Sequence, residues 1–78
     1  MLKKITYSET YFTKNRNKKA IITDIDNEDF ECIINEFLSK KDNEYDSILC
    51  MITKPKKFIK KGDLVEFKIN EITKIVIK

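Results

Sequence analysis

The sequence predicts one small α+β domain spanning residues 1–78, and three observations predict it. Seventy-eight residues leave room for a single core, because independent domains usually take about 50 to 200. Phe30, Ile33, Ile34, Phe37 and Leu38 fall at helical spacing, i, i+3, i+4, i+7 and i+8. Runs rich in Ile and other apolar residues before and after that segment carry β signals instead. The expected order is β-β-α-β-β-β, folded as a twisted sheet or a small, partly open barrel of OB-like or SH3-like kind and packed by one amphipathic helix.

From the N-terminus, residues 2–7, continuing to 13, read as a weak first strand. Residues 14–18 read as a loop whose asparagines, Asn15 and Asn17, tolerate left-handed turns. Residues 19–25 read as a central strand. A helix is expected over 27–40, with Asp26 as its N-cap and Asp29 three residues on. Ile25 and Phe30 would staple that cap, while Glu28 and Asp29 suit the positive end and Lys40 and Lys41 the negative end. A strand is disfavoured here because Phe30, Cys32 and Ile34 would continue into Glu36 on the same face. Residues 45–53 hold a continuous apolar run, Ile48 to Ile52, suited to a buried central strand. Gly62, the only glycine, is expected to supply the turn that admits a strand at Leu64. Residues 64–69 and 72–77 read either as two strands with a turn near Asn70 and Glu71 or as one long bent strand.

Composition narrows the function classes. With no His, no Trp, one Gly and two Cys, the chain lacks the parts for a Ser-His or Cys-His pair, a His-containing zinc site or a glycine-rich phosphate loop. A non-enzymatic binding module without cofactor or metal is the expectation. Lys3 and Lys4 precede Ile5 and a polar stretch, so no apolar signal segment follows them. The run of five apolar residues at 48–52 is far short of the roughly 20 that span a bilayer. Cys32 and Cys50 form no Cys-x-x-Cys, which fits a reduced, cytoplasmic chain.

Charge is blocked along the chain: residues 1–20 carry +5, residues 21–46 carry −7 and residues 47–78 carry +5, within a total of +3. Such asymmetry bears on partners. Lys14, Arg16, Lys18 and Lys19 follow Tyr11, while Lys54, Lys56, Lys57, Lys60 and Lys61 surround Phe58. Ammonium groups displace counterions from phosphates and aromatic faces stack on unpaired bases, so the two basic loops point to nucleic acid, single-stranded above all. The competing reading is that the lysines reflect AU-rich codons and guard strand edges.

Glu28, Glu31, Cys32, Asn35 and Glu36 share the polar side of the expected helix. That face suits a different partner: a basic, nucleic-acid-handling protein bound by a regulator or stoichiometric inhibitor of the phage or plasmid type. A homodimer built by adding strands at an edge is a third expectation. Cys50 reads as an inert core thiol. Cys32 reads as exposed beside carboxylates, which would make it a poor nucleophile. Finally, Asp24, Asp26, Asp63, Glu66 and Lys68 loosely resemble the carboxylate-plus-lysine sites of metal-dependent nucleases. Such a site would need a second carboxylate on a strand beside Glu66.

Overall fold

The computed structural model describes residues 7–39 and 45–78. Its first element is a helix, α1 (Glu9–Lys14). The Ser8 side chain caps it by accepting from the Tyr11 N–H at 3.2 Å, with Glu9 in the first turn and Lys14 in the last. Tyr7, just before the cap, meets Phe12 with ring centroids 6.1 Å apart. This is the hydrophobic staple expected at Asp26, made instead across Ser8. The first-strand expectation is thus corrected over residues 9–13, and residues 2–6 lie outside the described residues.

Five strands follow: β1 (Lys19–Asp24), β2 (Asp29–Leu38), β3 (Ser47–Ile52), β4 (Leu64–Lys68) and β5 (Ile72–Ile77). They form one antiparallel sheet in the order β4-β3-β2-β1-β5. The fold is α+β and the sheet is not closed into a barrel. β1 and β3 are interior strands, as their apolar runs predict. The C-terminal segment is two strands, separated by a 3-10 turn at Ile69–Glu71.

The largest correction concerns residues 27–40, where the expected helix is β2. Phe30, Cys32 and Ile34 do alternate inward. Ile34 faces Cys50 and Glu36 faces Leu49, so Asn35 is an extra residue opposite no partner. This bulge resets the alternation. Glu36 turns out to solvent, and Phe37 turns back in opposite the buried Ile48. Loop 14–18 satisfies the bulged backbone: the Asn17 N–H donates to the Ile34 carbonyl at 2.7 Å and the Arg16 Nε donates to the Asn35 carbonyl at 2.9 Å. Asp26 therefore caps nothing. Instead an Asp24 oxygen accepts from the backbone N–H groups of Asp26 and Glu28, shaping the β1–β2 turn in which Asn27 has φ +64°. Lys40 and Lys41 lie outside the described residues.

β4 and β5 are neighbours in sequence but opposite edges of the sheet. Four strand spacings of a flat sheet cover about 19 Å, whereas the three intervening residues let Lys68 and Ile72 stand at most about 14 Å apart. The sheet must curl. The 3-10 turn ties that end together, since the Ile69 N–H donates to the Asp46 carbonyl and the Ile25 N–H to the Glu71 carbonyl, each at 3.0 Å. The concave side holds the core, with Ile22, Ile34, Ile48, Ile52 and both cysteines essentially inaccessible. Helix α1 packs onto β2 from this side, and Phe12 stacks on Phe37 at 6.0 Å.

Cys32 is therefore a core residue rather than an exposed one. It points inward from β2, is 0% exposed and hydrogen-bonds Cys50, which together with burial pushes the Cys50 thiol well above its usual value. Labelling of either thiol by a soluble reagent at neutral pH should require unfolding. It is expected to run at least about a thousand-fold slower than in denaturant, as a stability of several kcal/mol implies. Fast labelling of the native chain would contradict the inward β2 register.

Candidate functional site

The basic segment 54–61 lies in the connection between β3 and β4. Its base is closed by the Ile52 N–H donating to the Asp63 carbonyl and the Gly62 N–H donating to the Ile52 carbonyl, both at 2.8 Å. Gly62 sits at φ +94°, the left-handed geometry its missing side chain permits, and so makes the turn expected of it. The Asp63 carboxylate accepts from the Lys60 N–H at 2.9 Å and stiffens the return. Higher up, Lys56 and Ile59 exchange backbone hydrogen bonds of 2.9 and 2.7 Å, leaving Lys57 and Phe58 as a tight turn. Lys57 holds φ +48°, a geometry that costs a non-glycine residue of order 1 to 3 kcal/mol and is found where surrounding contacts enforce it.

Those contacts anchor the hairpin. Ile59 packs against the core, and the Lys56 ammonium lies 4.6 Å from the Phe30 ring centre while donating to the Asp29 carbonyl at 2.7 Å. Phe58 is left at the tip, 96% exposed. A phenyl ring in water forfeits the transfer free energy of its whole apolar surface, of order 2 to 3 kcal/mol. Lys57, Lys60 and Lys61 accompany it and are themselves exposed. Lys60 and Lys61 have no side-chain partner among the described residues, whereas Lys57 lies 3.6 Å from Glu28.

A second group of cations stands on the outer, convex face. Lys54 and Lys78 converge on the Glu31 carboxylate at 3.6 and 3.0 Å. The hydrogen bond from Lys78, helped by its charge and by Lys54, holds the Glu31 carboxyl below the usual range. Because folding lowers that pKa, the pairing is fully present above the unfolded carboxylate value and disappears as pH falls through the folded one. Solvent screens exposed pairs of this kind, so a phosphate can compete for either lysine. The Lys78 N–H donates to the Lys19 carbonyl, which sets Lys19 beside Lys78.

The two basic loops do not meet. Loop 14–18 precedes β1, whereas segment 54–61 leaves β3 at the level of Glu31 and folds toward Glu28, near the other end of β1. Six residues of strand separate these ends by roughly 17 Å. Lys19, Lys78 and Lys54 bridge part of that gap. Arg16 is held on the bulge by its bond to Asn35, while Lys14 and Lys18 are exposed. Tyr11 is half-buried, with its ring 5.0 Å from that of Tyr7 and 5.3 Å from that of Phe12. Burial, and then Tyr7, push its hydroxyl pKa up. Its ring belongs to the α1 packing rather than to a free stacking surface.

The acidic face expected from a helix is not formed. Glu28 lies in the β1–β2 turn, Glu31 and Glu36 turn away from the core on either side of the bulge, Asn35 is the bulge, and Cys32 is buried. The loosely nuclease-like residues are also spread out. Glu66 faces Leu49 across β3 and accepts from the Ser47 hydroxyl at 2.6 Å, Lys68 covers the Tyr45 ring at 4.3 Å, and Asp24 ends β1, two strands further along the sheet than β3. No group of three or more metal-ligating side chains is found among the described residues. Likewise no helix among them is long and apolar enough to cross a membrane.

The convex face carries one feature that the helix expectation concealed. Val76, Ile21, Ile33, Met51 and Leu64 fall on successive strands in near-adjacent register, an apolar stripe across β5, β1, β2, β3 and β4. Val76, Met51 and Leu64 are 42%, 38% and 58% exposed. Only a strand reading of 29–38 turns Ile33 outward and makes the stripe visible. Comparison with protein-family models, with curated proteins and with solved structures finds no match for this chain.

Proposed function

We propose that this protein is a small, non-enzymatic module that binds single-stranded nucleic acid at the β3–β4 hairpin. The observation that carries the reading is Phe58: a 96% exposed ring on a tight, strained turn, flanked by lysines. Unpaired bases offer π-faces that such a ring can cover, whereas bases inside a duplex do not. Lys54, Lys57, Lys60 and Lys61 supply the phosphate charge. Lys19 and Lys78 extend the cationic track over the convex face toward loop 14–18, where Lys14 and Lys18 prolong it. Phe58 and Lys56 thus keep distinct tasks, the first stacking and the second bracing the hairpin against Phe30.

The test is fluorescence anisotropy of labelled single- and double-stranded DNA and RNA at low and near-physiological salt. Four phosphate contacts on a single strand predict a log-log salt slope of about −3. Micromolar or tighter affinity at low salt, with single strands preferred, is the expected result. Absence of binding at low salt would overturn the reading.

The apolar stripe favours a second reading, a regulator or stoichiometric inhibitor that docks on a nucleic-acid-handling protein. Exposed apolar patches of this type commonly mark protein contacts. Under that reading Met51→Lys and Leu64→Lys abolish activity while charge reversal at Lys60 and Lys61 does little.

A further inference from the structure

We propose that β4 is a docking edge for a second copy of this chain, the two copies pairing antiparallel along it about a two-fold axis. β4 and β5 are the outer strands of an open sheet, and an edge strand presents a row of backbone groups to whatever lies beside it. The Ile52 N–H donates to the Asp63 carbonyl and the Ile69 N–H to the Asp46 carbonyl, which fixes the parity of β4. Its odd-numbered residues bond β3, while Leu64, Glu66 and Lys68 direct their N–H and C=O groups outward. Among the described residues no hydrogen bond reaches those outward groups. Apart from its shortness and Lys68, β4 lacks the usual guards of an edge. Residues 64–68 hold no proline, their register with β3 is unbroken, and the inward side chains, Val65 and Phe67, are apolar.

Parity and charge choose the occupant. On β5 the Lys78 N–H bonds the Lys19 carbonyl while the Ile75 N–H donates to the Tyr7 hydroxyl at 3.1 Å, so the outward groups belong to odd-numbered residues and one of them is already taken. Those residues include Ile75 and Ile77, which pack against the core. Directly opposite residues of an antiparallel pair share a face. Joining β4 to β5 in this way would set the solvent-facing Leu64, Glu66 and Lys68 against core-facing residues and turn one sheet over. β4 against β4 opposes solvent-facing residues to their own kind and keeps both faces continuous. The strand is also complementary to itself. With Phe67 on the two-fold axis, Glu66 of each copy lies opposite Lys68 of the other, giving reciprocal ion pairs, whereas an axis through Glu66 would oppose two carboxylates. Glu66 accepts from the Ser47 hydroxyl through one oxygen, and its other oxygen has no partner among the described residues. Lys68 rests over the Tyr45 ring and is exposed, so its ammonium is placed to reach across the joint. An isologous joint of this kind closes at two copies.

The test is sedimentation equilibrium and amide hydrogen exchange of the full chain at rising concentration, with no nucleic acid present. A joint of one short strand buries little area and belongs to the weak class of interfaces. The mean mass should therefore climb from 9.3 kDa toward twice that value between roughly 10 µM and 1 mM. In step with the mass, the amides of Glu66 and Lys68 should become protected, while those of Val65 and Phe67, bonded to β3, exchange slowly throughout. Glu66→Pro removes one outward N–H and no bond to β3, at a position where an edge strand tolerates proline. It should leave a folded monomer at every concentration. Glu66→Lys should weaken association about ten-fold, and Glu66→Lys combined with Lys68→Glu should restore it to within about three-fold. Thermal unfolding of each variant separates these effects from loss of fold. A chain that stays at 9.3 kDa with freely exchanging Glu66 and Lys68 amides would overturn the inference. A dimer that survives both Glu66→Pro and Glu66→Lys would overturn it too, since its interface would lie elsewhere.

Discussion

Replacing Phe58 by Ala should weaken single-strand binding by about 5- to 150-fold, the equivalent of 1 to 3 kcal/mol for one stacked base. The same change should leave the unfolding midpoint almost where it was. Phe58 is 96% exposed and touches no part of the core, so its removal forfeits no packing, and substitutions of that kind stay within about 0.5 kcal/mol. Separation of the two readouts is the signature of a contact residue. Lys60→Glu with Lys61→Glu offers the complementary result. Affinity should fall and the salt slope should become shallower by about 1.4, two phosphate contacts at roughly 0.7 each. Loss of affinity without a change of slope would show that these lysines act other than by neutralising phosphate.

Phe12→Ala should be the most damaging single change to the fold. Phe12 is 1% exposed, stacks on Phe37 and meets Tyr7 and Tyr11, so it joins α1 to the part of β2 beyond the bulge. Truncating a buried Phe to Ala costs about 3 to 5 kcal/mol. The whole stability of a chain of 78 residues is of order 4 to 12 kcal/mol. The thermal midpoint should drop by more than about 12 °C, and nucleic-acid affinity should fall only as far as the folded fraction does. A drop below about 3 °C would mean that α1 contributes little to the packing attributed to it.

Much of the fold is legible in the residues. The strands at β1 and β3 follow from apolar runs, and Gly62 takes the left-handed geometry that a lone glycine before a strand suggests, whereas the choice between two strands and one bent strand over residues 64–77 is left open by the residues and made by the fold. Segment 29–38 is different because two periodicities compete there. Ile33, Ile34, Phe37 and Leu38 match a helix, and the alternation Phe30, Cys32, Ile34 breaks at Glu36. One inserted residue reconciles the second pattern with the fold. A bulge at Asn35 carries no composition signal of its own, and the carbonyls it displaces are satisfied by Arg16 and Asn17, nearly twenty positions earlier. Long-range pairing therefore overrides the local period. Helix α1 had a local signal, Ser8 ahead of Glu9 with Tyr7 and Phe12 in staple positions, but Tyr, Thr and Phe are also good strand formers. Among the site residues, the exposure of Phe58 follows from a turn too tight to bury its second residue. The separation of the two basic loops depends on strand order, which spacing along the chain does not encode.

The most direct measurement of the central claim uses the absence of tryptophan from the chain. Phe58→Trp places a single indole at the hairpin tip, and its emission reports on whatever covers that position. Titration with a short single-stranded oligonucleotide should quench this emission along the same curve that anisotropy of the labelled strand follows, because a base stacked on the ring both binds and quenches. Binding seen by anisotropy with unchanged indole emission would place the nucleic acid elsewhere on the protein and contradict the account.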